Sequence, residues 1–208
     1  MFIELVDLLR CPNPHEDTWL VAQMTHVEAR HIMDGTIGCP ICSAEYPVRD
    51  GIVYFSEHVS RMAWVDPSDK EAMRLAAALD LTDARAVALL QGAWGAHASI
   101  MRGVTPSRLL LVNPPEGVEA GDGISIVLAD TAPLASASVH GAALDASAST
   151  AMRHALRRAL QPRGRMLAWL ASAMPDDMTE LVRDDEVWVA EAPAGIVSPP
   201  IQPLRRRS

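Results

Sequence analysis

Apolar residues fall in short runs along this 208-residue chain, and their pattern changes near residue 57 and again near residue 105. In the first stretch, Ile3 to Leu9 predicts a short helix or turn and Thr18 to Met24 a strand. His31-Ile32-Met33 follows, with Gly35 as a turn, and Glu45 to Val48 and Ile52 to Phe55 flank the turn Asp50-Gly51. Residues 1–57 therefore read as a small β-rich unit. A helix is predicted from Ser68, where Glu71 three positions on gives a capping box and Ala72, Leu75, Ala76 and Leu79 keep helical spacing. A second helical stretch is expected from Thr82 to Gly103, broken near Gly92 or Gly95.

Beyond residue 105 the pattern becomes strand and loop. Leu109 to Val112, Ile124 to Leu128 and Val139 to Leu144 read as buried strands, and Thr150 to Leu160 as a helix. That helix puts Met152, Ala155, Leu156 and Ala159 on one face and Arg153, Arg157 and Arg158 on another. Arg165 to Leu170 makes a fourth strand, with Glu186 to Ala190 and Pro200 to Leu204 as late edge strands. Short apolar strands alternating with helices predict an open, mostly parallel sheet, so the fold class is α/β, or α+β once the first unit is counted. The expected division is 1–57 for the β unit, 58–104 for a helical connector and 105–208 for a truncated Rossmann-like domain.

Composition narrows the function classes. Net charge is −8, and −6 of it falls in residues 1–57. A chain this acidic lacks the basic face that displaces counterions from phosphates, so nucleic acid is not an expected partner. The first nine residues carry Glu4 and Asp7 rather than a signal-like pattern, and no apolar run approaches the ~20 residues of a membrane span. A soluble, cytoplasmic protein is expected.

Three cysteines are too few for a disulfide scaffold. Cys39-Pro40-Ile41-Cys42 has the spacing of a zinc knuckle, whose tight turn aims two thiolates at one ion. Cys11 supplies a third ligand and His15, four residues on, is the best fourth; Asp17, His26 and His31 are weaker rivals. A redox dithiol or plain core cysteines are the competing readings, and no strand–helix context of a thioredoxin type surrounds the pair. Four protein ligands leave no open position, so the expected zinc is structural and substitutes for a core that so small a unit cannot build.

Leu9-Arg10-Cys11-Pro12, Gly35 to Cys42 and Glu45-Tyr46-Pro47-Val48-Arg49-Asp50-Gly51-Ile52 together resemble the zinc-ribbon family of methyltransferase activators. The resemblance covers about the first 57 residues and departs from the usual four-cysteine form where His15 stands in for a cysteine. It implies a small unit that packs on a methyltransferase, hides its apolar surface and does no chemistry itself. Further on, Ala132-Pro133-Leu134, Ser138 to Asp145 and Ala155 to Leu167 resemble class I S-adenosylmethionine methyltransferases. In that family the first strand ends in an acid and enters a glycine-rich loop. The matching stretch is read as Leu111-Val112-Asn113-Pro114-Pro115-Glu116-Gly117, where the acid is missing and only Gly117 remains. Val118 to Gly123 leaves no room for a crossover helix. On that reading S-adenosylmethionine binding is expected to be lost.

No other catalytic or cofactor-binding residue is assigned. Asp130 and Asp145 end strands and are expected to be solvated, while His97, His140 and His154 are isolated. Trp94, Trp169 and Trp188 read as core or interface anchors. The expected function is a zinc-binding, non-catalytic adaptor, scaffold or regulatory subunit. Its partner would be a protein, for instance a methyltransferase or larger assembly, with self-association left open. The alternative is an S-adenosylmethionine-dependent methyltransferase with an atypical cofactor loop.

Overall fold

The computed structural model describes residues 1–195, so the expected strand at Pro200 to Leu204 and the Arg205–Arg207 tail lie outside the described residues. The fold is α/β. Eleven strands form one sheet, and the N-terminal β unit is part of it. After a 3₁₀ helix at Ile3–Leu8, strands β1 (Val21–Glu28), β2 (His31–Gly38), β3 (Glu45–Arg49) and β4 (Ile52–Tyr54) form an antiparallel meander. Gly35 lies inside β2 rather than in a turn, because a Cβ there would sit 2.3 Å from the Gln23 carbonyl oxygen beside the irregularity in β1.

Helix α1 (Asp69–Ala78) begins at the expected cap, with the Ser68 hydroxyl accepting the Glu71 N–H. Then comes a correction to the helical connector. Val87–Gln91 is strand β5, followed by a 3₁₀ turn at Gly92–His97 and the short helix α2 (Ala98–Val104). A five-residue apolar run buried on both faces has no period that separates strand from helix, which is why this segment reads as helical in sequence. Strands β6 (Arg108–Val112), β7 (Ile124–Leu128) and β8 (Val139–Leu144) follow, then α3 (Thr150–Ala159) and β9 (Leu160–Trp169). The chain continues with β10 (Thr179–Arg183) and β11 (Val187–Glu191).

The strand order is β1-β2-β3-β4-β7-β6-β5-β8-β9-β11-β10. Strands β4 to β9 run parallel, while β11 is antiparallel to both β9 and β10. The segment from Glu186 to Ala190, expected at an edge, is therefore interior, and β10 holds the edge. The connection from β6 to β7 contains no helix, as its length implied.

Side chains alternate between two cores. Leu89, Leu110, Val112 and Val127 pack with Met152, Leu156 and the N-terminal Leu5 and Leu9. Ala88, Leu90, Leu109, Leu111 and Ile126 face the other way, onto Leu75 and Leu79 of α1 and Met101 of α2. Ile32, Ile37, Val48 and Val53 of the β unit join the first core, so that unit does not depend on a metal to replace a missing core. Truncating Leu89 or Leu110, both fully buried, is expected to destabilise the chain by about 2–5 kcal/mol.

His97 caps α1 from a neighbouring element. Its Nδ1 accepts the Ser68 N–H at 3.1 Å, which requires an unprotonated nitrogen, and desolvation holds its pKa below the ordinary value. The unfolded chain then binds the proton more readily than the folded one, so stability falls as pH drops below about 6.5. Urea unfolding at pH 7.5 and 5.5 checks this. The loss at pH 5.5 is expected to be smaller in His97→Gln than in the parent chain.

Candidate functional site

Two groups of residues carry chemistry. The first is the cysteine–histidine group, which the fold brings together from three segments. The turn between β2 and β3 closes with Cys39 N–H donating to Ala44 and Ser43 N–H to Cys39, so that Cys39 and Cys42 point the same way. Cys11 and His15 arrive on the loop after the N-terminal 3₁₀ helix, which is anchored where Arg10 N–H donates to Pro133. The four ligand atoms all lie within 4.8 Å of one another. The Cys11–Cys42 sulfurs are 3.7 Å apart and the Cys39 sulfur is 3.4 Å from His15 Nε2. A tetrahedron with 2.3 Å Zn–S bonds has sulfurs about 3.8 Å apart. The set is compatible with zinc.

The surroundings support that arrangement. His15 Nδ1 lies 2.6 Å from the Glu16 carbonyl, and an N–H there fixes the tautomer that leaves Nε2 free to ligate. Asn13 Nδ2 donates to the Cys42 sulfur at 3.3 Å, and that bond with one from the Ala44 N–H holds the Cys42 thiol down at about 6, favouring thiolate. The Tyr46 hydroxyl lies 3.2 Å from the Cys11 sulfur, and burial raises its own pKa. The rival ligands are elsewhere: Asp17 pairs with Arg10, His26 with Asp34, and His31 is buried against Phe2.

The second group lies at the carboxyl ends of the parallel strands. The chain leaves β5 toward β6 on one side while β8 lies on the other, which makes their shared end a topological switch point, the place where doubly wound sheets bind ligands. A cleft of about 580 Å³ opens there. Gln91 and Gly92 come to it from β5, Asn113 from β6, Asp130 from β7 and Ser147 from β8, with Arg61 from the segment that leaves the β unit. Here the sequence reading of the cofactor loop is corrected. Leu111 to Gly117 follows β6, one strand off centre; the loop after the central strand is Gln91-Gly92-Ala93-Trp94-Gly95. The signal was present in Gly92 and Gly95, read instead as a helix break.

This loop is tightly built. Gly92 has φ +63°, and a Cβ there would come within 1.9 Å of an Asp145 carboxylate oxygen. That carboxylate is buried, not solvated as expected, and accepts the Ala93 N–H at 2.6 Å and the Ser147 N–H at 2.7 Å. Gln91 braces it, its Oε1 accepting the Asp145 N–H at 3.1 Å. Asn113 is spent on the backbone of Ala129, donating to its carbonyl and accepting its N–H. Trp94 is buried and stacks on Trp169 at 4.8 Å, while Trp188 donates to Ser172. Asp130 is exposed, as anticipated. Arg157 pairs with Asp177, and His140 and His154 stand apart from the cleft.

No family model matches the chain, and no curated protein does either. Among solved structures, it is similar to geranyl diphosphate C-methyltransferase from Streptomyces coelicolor A3(2), at 14% identity and TM-score 0.41 over 48% of this chain and 46% of that one. It is also similar to an RNA methyltransferase from Salinibacter ruber, at 16% identity and TM-score 0.43 over 64% and 96% of the two chains. A methyltransferase from Geobacter sulfurreducens gives 12% identity and TM-score 0.44, covering 63% and 81%. The chain thus spans less than half the length of the first of these. Among the described residues no helix is long and apolar enough to cross a membrane.

Substituting His15 checks the cysteine–histidine group. After exposure to zinc and desalting, His15→Ala is expected to retain less than half the metal of the parent chain by elemental analysis, while His26→Ala retains all of it.

Proposed function

We propose that the chain is an S-adenosylmethionine-dependent methyltransferase with an atypical cofactor loop, carrying its own zinc ribbon in the same polypeptide. The observation that carries this reading is the cleft at the switch point, where the ends of β5, β6, β7 and β8 all contribute lining residues. Its volume, about 580 Å³, is within the usual range for small-molecule sites. The earlier case for a lost cofactor site was built on the loop after β6, which is not the loop after the central strand. The resemblance of residues 132–145 and 155–167 to methyltransferases supplies the cofactor class.

Zinc would be held by Cys11, His15, Cys39 and Cys42, with a structural role, since four protein ligands leave no open coordination position. S-adenosylmethionine, when bound, supplies the methyl group. The chain's own residues would do the rest. Gly92 allows backbone to approach a ligand, the Asp145–Gln91–Ser147 network fixes the loop, and Ser147 to Ser149 form the opposite lining. The ribbon resembles units that pack on methyltransferases, and here its β4 is hydrogen-bonded to β7 of the chain's own sheet. That engagement favours a partner in cis over one in trans.

The adaptor reading retains one specific support. Trp94 fills the middle of the loop, and both polar atoms of the Asn113 amide are engaged, so neither offers a free contact to a ribose.

Calorimetry separates the two readings. S-adenosylmethionine and S-adenosylhomocysteine are expected to bind the zinc-loaded chain with micromolar dissociation constants, weakened at least tenfold in Gly92→Ala, where the new methyl meets the Asp145 carboxylate. Absence of heat up to millimolar ligand with the parent chain would leave the adaptor reading standing.

A further inference from the structure

Arg61 sits in the cleft wall at the end of β6. Its Nε donates to the Pro114 carbonyl at 2.9 Å, and its Nη2 to Pro115 at 2.5 Å and Val118 at 3.1 Å. These acceptors immediately follow Asn113. A guanidinium has five N–H donors; among the described residues, neither hydrogen on Nη1 has a partner, and no carboxylate forms a salt bridge with Arg61. The side chain is half-buried. A cation is thus held in place by carbonyls alone, without a counter-ion, in the wall of a ligand-sized cleft.

Its position matters more than its charge. In doubly wound sheets the residue at the end of the second strand meets the ribose of a bound nucleotide. An acid there takes the free 2′-hydroxyl, whereas a nearby arginine accommodates a 2′-phosphate. Here that residue is Asn113, whose amide is fully engaged with Ala129, so it cannot act as the acid. Arg61 is locked to the very next residues. Asp130, the acid among the lining residues, belongs to β7 rather than β6 and is exposed.

We propose that Arg61 forms an oxyanion subsite beside the ribose position, and that the cleft binds a nucleotide phosphorylated on its ribose in preference to the unphosphorylated nucleoside. Such a nucleotide competes with S-adenosylmethionine for the same cleft and so regulates it. The inference rests on the reading of the cleft as an adenosyl-ligand site. The three carbonyl bonds orient the guanidinium fork before any ligand arrives, which lowers the ordering entropy of binding.

The test compares adenosine, adenosine 2′-monophosphate and adenosine 5′-monophosphate by calorimetry on the zinc-loaded full chain, alone and in competition with S-adenosylhomocysteine. The 2′-phosphate is expected to bind at least tenfold more tightly than adenosine and to displace S-adenosylhomocysteine. That advantage is expected to fall below twofold in Arg61→Gln, with adenosine affinity little changed, and to survive in part in Arg61→Lys, which keeps the charge. If Arg61→Gln does not fold, the parent chain still decides: the advantage must shrink as salt is raised from 50 to 500 mM. Equal affinity for adenosine and its 2′-phosphate, an advantage that persists in Arg61→Gln, or an equal gain for the 5′-phosphate overturns the proposal. Should S-adenosylhomocysteine bind while the 2′-phosphate gains nothing, only this inference falls. If none of the four ligands binds, the adenosyl reading of the cleft falls with it.

Discussion

The parallel pairing of β4 with β7 is the contact on which the rest of the molecule depends. Ile52, Val53 and Tyr54 lie opposite Ile126, Val127 and Leu128, and Phe55 N–H extends the ladder by donating to Leu128. Three residues of pairing turn a small antiparallel meander and a doubly wound sheet into one surface. The contact is reinforced from the N-terminus, where Phe2 N–H donates to the Ser125 hydroxyl and Leu9 bridges to Leu134. The same 3₁₀ segment that carries Leu5 and Leu9 into the core delivers Cys11 and His15 to the knuckle. The position of the metal ligands and the packing of one sheet face are therefore one structural fact.

The cleft inherits its shape from the same junction. The chain leaves β4 through residues 58–62, and these line the cleft before α1 begins. Arg61 fastens that segment to the loop after β6, and Glu116 N–H donates to the Met62 carbonyl in return. On the other side, Asp145 ties the β5 loop to the β8 loop. Buried polar groups of this kind rigidify a site only when each has its partners, and here the Asp145–Gln91–Ser147 and Asn113–Ala129 networks are satisfied. What is left without an internal partner is the outer nitrogen of Arg61.

Much of this was legible in the residues. The Ser68 cap, the apolar face of α3 and the strands β6, β7 and β8 follow from period and capping, and the cysteine spacing places the knuckle. The central strand was not legible. Val87 to Leu90 is apolar throughout because both faces are buried, so nothing alternates. Missing it moved every later strand one place toward the centre and assigned the cofactor loop to Asn113-Pro114-Pro115. The chain then looked too short for a complete sheet, when the missing strand lay in the segment taken for a connector. Burial of Asp145 was equally hidden, since a strand-end acid gives no local sign that a glycine 53 residues earlier will leave room for its carboxylate.

Hydrogen exchange measured residue by residue on the zinc-loaded chain tests the central claim, that ribbon and sheet are one cooperative body joined through β4. The account predicts that the amides of Val53 and Tyr54 exchange as slowly as those of Leu89 and Leu110, through global unfolding alone. Exchange at Val53 and Tyr54 that is orders of magnitude faster, while Leu89 and Leu110 stay protected, would contradict it.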